Sequence, residues 1–330
     1  MRHATISLLF IATSAAAQAP DVGSLAERFT RMTAVTGFEQ AALDSVQQLI
    51  PDSRRDRAGN VIIDRGHGPA TLIVCPFDEV GYVVGGIRED GWLTLRRVGA
   101  RAPSALFDQY HEGQRVTVWG RRGALPAVIG VRSTHLTRGR SVGDAPFTVD
   151  DAYVDIGASN AAEVRAAGVE LLAPVALLKR VTRYGIDLLA GPSAGRRSAC
   201  AALVASLASA SASASASASA SASASASASA SGRVVVSFAV EQELGQRGLR
   251  TLANVEGPFA RTFIVDGGAG SLGTIGERRD STVARVLPGL GAVTRWTLPT
   301  RYTGTPVETV SLADAEGLRS RLVGLIGGGR

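Results

Sequence analysis

An α/β layer fold interrupted by a small inserted β-barrel or sandwich is the class this sequence predicts. Three observations predict it. Apolar residues recur at helical spacing on both sides of the chain's middle, and short buried-strand runs bounded by turn signals stand between them. Residues 81–175 instead carry closely spaced alternating runs, the pattern of a small all-β unit. A chain of 330 residues is long enough to bury a sizeable core.

The elements follow in order. Arg2 and His3, the apolar stretch 6–12 and Ala15-Ala16-Ala17 read as a secretory signal peptide over residues 1–17, cut after Ala17. An export route to the periplasm or the outside is therefore expected. No later stretch approaches the ~20 apolar residues that span a bilayer, so no membrane span is expected. Leu25, Phe29 and Met32 predict one helix, and Ala42, Val46 and Leu49 a second after the turn at Thr36-Gly37-Phe38. Gly59-Asn60 turns the chain into a strand at 61–63, and 71–75 reads as a second, buried strand. Residues 21–80 thus form the first part of the α/β unit.

Alternating runs then appear at 82–87, 92–98, 115–119, 127–131 and 152–156, separated by turn signals such as Glu89-Asp90-Gly91 and Arg122-Gly123. They define an inserted barrel over 81–175, with the α/β unit resuming over 176–330. Leu203, Val204 and Leu207 give a helix its apolar face, and 234–240 reads as a strand. Between them, residues 208–231 alternate Ala and Ser, a tract with no apolar face. It reads as an expanded connection, with continuation of the preceding helix as the alternative.

Charge excludes one class of function. The formal net charge is +6, but the arginines are scattered as singles and pairs without interleaved aromatics, and Lys179 is the only lysine. A nucleic-acid reader concentrates such residues on one face, so no nucleic-acid partner is expected. Cys75 and Cys200 are too few for a disulfide framework. Export permits one bridge between them, while residue type alone favours two isolated buried thiols.

The stretch VCPFDEVGYVV at 74–84, with TGFE at 36–39, DRAGNV at 56–61, YVDIGA at 153–158, FAVEQELGQRG at 238–248 and LPTRYTGTPVETVSLAD at 298–314, resembles the glutamyl and deblocking aminopeptidase family, of the tetrahedral aminopeptidase type. The resemblance covers most of residues 25–266 and 298–326, and the order and spacing of the motifs make it specific. It implies a mixed-sheet, three-layer metallopeptidase-like α/β domain and peptides as partners. It also implies a homo-oligomer assembled through the β-barrel, for which Trp92 and Trp119 are candidate anchors. The cofactor it implies is a pair of zinc or cobalt ions, bridged by a carboxylate and served by a glutamate base.

Carried over position by position, the implied ligands are mostly replaced. The first histidine falls on Pro76, which has no donor atom. The bridging aspartate falls on Ala194, before Gly195 and Arg196, and the last histidine falls on Gly304. The general base falls on Gln242, whose amide cannot take up a proton. Glu243 and Asp266 stay as candidate metal remnants, with Asp78 behind them as the residue that would orient the missing histidine. Two losses do not depend on alignment. No Asp, Glu or His occurs between Asp187 and Glu241, and no histidine follows His135.

The other histidines are expected to be surface or locally hydrogen-bonded, with His67 in a Gly-rich turn, His111 beside a charged loop and His135 near the barrel's end. Glu243 and Asp266, with Asp78 or Glu79, would suit a weakly held Ca²⁺ or Mg²⁺ better than zinc, while the simpler reading is two isolated carboxylates at strand ends. Gly267-Gly268-Ala269-Gly270 is a weak phosphate-loop signal. The connection from 266 to 299 looks too short for a complete core layer. The expected function is a secreted, catalytically inactive homologue that keeps a binding or assembly role and holds no metal cofactor. The alternatives are a metal-dependent aminopeptidase with an altered, reduced site, and a decaying gene product.

Overall fold

A computed structural model describes residues 20–99, 102–131, 146–220 and 232–327. The leader at 1–17, His135 and the last part of the Ala/Ser tract, 221–231, lie outside the described residues.

The chain opens with α1 (Val22–Thr30), capped by Asp21, which accepts a hydrogen bond from Ser24 N at 2.7 Å. Then come α2 (Gln40–Gln47) and the strands β1 (Arg54–Arg55), β2 (Val61–Arg65) and β3 (His67–Pro76). Six strands build the insert: β4 (Gly81–Ile87), β5 (Leu93–Val98), β6 (Arg115–Gly120), β7 (Gly123–Ile129), β8 (Tyr153–Asp155) and β9 (Pro174–Leu177), with α3 (Ala161–Ala166) before the last. They close as β4-β5-β8-β7-β6-β9 around Tyr82, Leu95, Val118 and Ile129. A closed barrel pairs its own backbone and leaves no edge strand.

After β10 (Thr182–Tyr184) and β11 (Leu188–Ala190) the chain enters α4 (Ala194–Ala220). The helix thus runs well into the Ala/Ser tract, so its first part is helix rather than connection. Alanine's high helix propensity supports this once Leu203, Val204 and Leu207 have anchored the earlier turns. β12 (Gly232–Ala239), α5 (Arg247–Thr251), β13 (Arg261–Ala269), β14 (Gly276–Arg279), α6 (Ser281–Val286), β15 (Ala292–Thr300), β16 (Thr309–Ser311) and α7 (Leu312–Ile326) complete the chain.

Seven strands form one mixed sheet in the order β1-β2-β12-β3-β13-β15-β14, parallel from β12 through β15 and antiparallel at its flanks. The three-layer α/β architecture is as the sequence predicts. Successive residues of β3 feed opposite cores. Ile73 and Cys75 pack among α1, α2, α4 and α7, whereas Leu72 and Val74 pack on the other face. Burial on both faces is why this strand reads as an unbroken apolar run.

Three expectations are corrected. Cys75 on β3 and Cys200 on α4 are bonded to each other, with Cα atoms 5.6 Å apart, and are not isolated thiols. The segment from 266 to 299 is not an amputated layer. It supplies an edge strand, β14, and α6, whose Val283 joins Leu287 and Leu290 over Leu72 and Val235. His67 starts β3 rather than sitting in a turn before it.

Candidate active site

Parallel strands present their C-terminal ends on one side, where ligand sites of open α/β sheets lie. β3, β12 and β13 end there, facing the first turn of α4 and the barrel segment around residues 102–111. Asp78 follows β3 by two residues, Glu243 lies in the turn after β12, and Asp266 stands within β13. Of the predicted site residues, the structure brings these three together. They do not meet around an open space.

Arg196, in the first turn of α4, extends its guanidinium among them. Its Nε donates to Asp266 Oδ1 at 3.0 Å and its Nη2 to Asp266 Oδ2 at 3.2 Å, a two-bond fork. Its Nη1 donates to Glu243 Oε1 at 3.1 Å and to the Asp78 carbonyl at 2.6 Å. The same Nη1 lies 3.9 Å from Asp78 Oδ1. Burial opposes this charge, but Asp266, Asp78 and Glu243 outweigh it and hold the guanidinium more firmly protonated than in water. Burial pushes the Glu243 carboxyl up, with Arg196 opposing the shift.

Asp78 is fully buried. Its Oδ2 accepts from the Glu243 backbone N–H at 2.9 Å, whereas its Oδ1 accepts no hydrogen bond. Glu79 turns away to a different set of partners. It accepts from Ala34 N at 3.1 Å, from Ser193 Oγ at 3.0 Å and from Lys179 Nζ, with Arg197 Nη2 at 3.4 Å. Burial would raise its pKa, but Lys179 and Arg197 override that and hold it at about 2. Arg197 is itself completely buried, donating to the Phe77 carbonyl with its guanidinium carbon 4.4 Å from the Phe77 ring centre.

Pro76 closes β3 opposite Ala239, and Ala194 is a fully buried residue that starts α4. Gly304 adopts φ 74°, and a Cβ there would lie 2.7 Å from Pro103 Cβ. Its N–H donates to Glu308 Oε2 at 2.8 Å, while Gly195 N donates to Glu308 Oε1 at 2.8 Å. Burial raises the Glu308 carboxyl. Gln242 is followed directly by Glu243, yet only Glu243 lines the adjoining cavity of about 320 Å³.

His111 lines that cavity from the barrel side and is buried, which corrects the surface part of the expectation. Its Nδ1 lies 2.8 Å from the Phe107 carbonyl, and burial lowers its pKa to about 4, so the ring is neutral at pH 7. The Gly267–Ala269 stretch lies inside β13 and forms no phosphate loop. Sequence reasoning missed Arg196 and Arg197. The signal was available, since two adjacent arginines opening an otherwise apolar helix must find carboxylates when buried.

The arrangement can hold a buried cation, and that cation is a side chain of the same protein. The sequence profile of the M42 glutamyl aminopeptidases matches residues 59–258. SgcX of Escherichia coli is 29% identical over 179 residues, 52% of this chain and 46% of SgcX. The glutamyl aminopeptidase of Lactococcus lactis is 28% identical over 149 residues, 42% of this chain and 41% of the enzyme. This chain thus spans less than half the length of either of these two curated relatives. The Pyrococcus horikoshii TET1 peptidase, which can assemble into a tetrahedron or a large octahedral shell, shares the fold with a TM-score of 0.76 at 22% identity, over 93% of this chain and 99% of that one. With its profile match covering more than half of its residues, the chain belongs to the M42 glutamyl aminopeptidase family.

Proposed function

We propose that this chain is an exported, catalytically inactive relative of the M42 aminopeptidases. The observation that carries this reading is the Arg196 guanidinium, bonded to Asp266 and Glu243 and close to Asp78. The family implies a metal cofactor, and the residues here do not fit a pair of divalent ions. A delocalised cation already takes up the carboxylate lone pairs, and a divalent ion brought to the same oxygens would be repelled by it. The position of the bridging acid is held by Ala194, a fully buried side chain with no donor atom. Without a metal-polarised water, a peptide bond has no nucleophile at this site, and Gln242 cannot act as a base.

Export is supported by the leader-like residues 1–17 and by the buried disulfide, which suits an oxidising compartment. Self-association through the barrel is supported by the exposed Trp92, Tyr153, Val128 and Leu178. Trp119 is half-buried and a weaker anchor than its sequence position suggests. Light scattering on the full chain tests this part, and a strict monomer at high concentration would remove it.

The catalytic part is tested with a panel of aminoacyl chromogenic amides and short peptides, assayed with added zinc or cobalt. Hydrolysis should equal that of buffer. A rate that a chelator abolishes would refute the reading.

A further inference from the structure

We propose that Ser193 is a covalent acyl-acceptor site, whose hydroxyl takes the acyl group of a small activated ester and holds it. This goes beyond the inactive reading above, because the chemistry belongs to a serine and needs no metal.

Residues 191–195 read Gly-Pro-Ser-Ala-Gly, a G-x-S-x-G spacing. That spacing marks a nucleophile when the serine stands on a sharp, strained turn from a strand into a helix. The fold supplies such a turn. β11 ends at Ala190, α4 begins at Ala194, and Ser193 between them has φ 61°, in the left-handed region that side chains disfavour. Among the described residues it is the only serine held there. Close approach dictates both glycines. A Cβ at Gly191 would lie 2.8 Å from Thr30 Cγ2, and one at Gly195 would lie 2.3 Å from Thr300 Cγ2. Helix capping does not account for the serine. A capping serine has extended backbone and accepts from an N–H of the first turn. The Ser193 hydroxyl instead donates to Glu79 Oε2 at 3.0 Å.

Nucleophile and proton acceptor are thus already hydrogen-bonded, and both line the cavity of about 320 Å³. Lys179 donates to the same Glu79 oxygen and holds that carboxylate beside the serine. Phe107, Leu177, Pro192 and Pro306 give the cavity an apolar wall, which suits a short apolar acyl chain. In the step, Ser193 Oγ bonds to the ester carbonyl carbon as its proton passes to Glu79, and the carbonyl π pair moves onto oxygen. That pair returns as the bond to the leaving oxygen breaks, and the leaving oxygen departs with the bonding electrons and takes up the proton. The product is an alkyl ester of serine. An alkoxide leaves far less readily than a phenolate or enolate, so the carboxylate that serves acylation releases the acyl group only slowly. One acyl group per chain therefore stays bound, in keeping with a protein that does not turn over.

The test incubates the full chain with p-nitrophenyl butyrate, and separately with a fluorophosphonate probe, with EDTA present throughout. A burst of about one equivalent of p-nitrophenolate per chain is expected, followed by slow release. Intact-mass and tandem mass spectra should place the butyryl or phosphonyl group on Ser193. Ser193→Gly keeps the turn, since glycine adopts positive φ freely, and should lose both burst and label while still melting cooperatively. Adduct mapping on the wild type decides the matter should that variant prove insoluble. Absence of an adduct on Ser193, or a burst that Ser193→Gly retains, overturns the proposal and leaves the inactive reading standing. Peptide hydrolysis that a chelator abolishes would sink the inactive reading instead, and labelling under EDTA does not depend on it.

Discussion

Replacing both cysteines should lower stability by an amount the loop they close determines. Cys75 and Cys200 are 125 residues apart in sequence, and the whole barrel lies between them. In the chain-entropy account, cutting a loop of that size frees unfolded-state entropy worth about 5 kcal/mol at 25 °C. Unfolding entropy scales with chain length, so for a domain of this size the loss corresponds to a fall of about 8 °C in Tm. Cys75→Ala/Cys200→Ala is the suitable variant. Both sulfurs are in the apolar core, and serine would add buried hydroxyls with no guaranteed partners. The assay is calorimetric melting of wild type and variant, each with and without a phosphine reductant. Because both residues are fully buried, the reductant should act on the wild type only as it unfolds and should leave the variant unchanged. A variant that melts within about 2 °C of wild type would refute the reasoning. So would native protein that yields two alkylatable thiols without reductant.

Two further outcomes follow from the surroundings of the site. Burial raises Glu39 from 4.5 to about 7, so between those values the folded state holds a proton that the unfolded chain has released. Stability therefore falls as pH rises from 4.5 to 7 and levels off above, by about 3 kcal/mol in all. Glu39→Gln keeps an acceptor for Gly37 N and Glu241 N and should flatten that slope, and parallel pH profiles from denaturant titrations would contradict this. Gly267→Ala should cost about 3 kcal/mol or more, since its Cβ would lie 2.3 Å from the Gly195 carbonyl carbon and 2.5 Å from Arg196 N, both backbone atoms. A soluble variant with wild-type Tm would disprove that close approach of β13 to α4.

Much of the architecture was legible because it rests on local patterns. The run at 71–75 announces a strand buried on both faces, and the alternating runs after Gly81 announce the barrel, since each reports its own periodicity. Placement across the fold was less legible. Cys75 and Cys200 could be paired only once β3 and α4 were known to pack together, and nothing in their flanking residues carries that information. The segment from 266 to 299 was undervalued because Val283, Leu287, Leu290 and Val293 are sparse in sequence, yet they cover one patch of sheet. At the site, Asp78, Glu243 and Asp266 were found by resemblance. Arg196 was passed over as part of a degraded motif. Its role depends on strand ends more than forty residues away in either direction along the chain, where only the fold supplies the carboxylates that a buried guanidinium requires.

The central claim is that a side-chain cation occupies the place where this family would be expected to hold metal. Its most direct test is elemental analysis of the wild-type protein after incubation with excess zinc and cobalt and exhaustive dialysis. The account predicts well under one equivalent of either metal per chain, with the Arg196 bonds to Asp266 and Glu243 intact. Retention of about two equivalents would contradict it, since that is the stoichiometry of a working two-metal site.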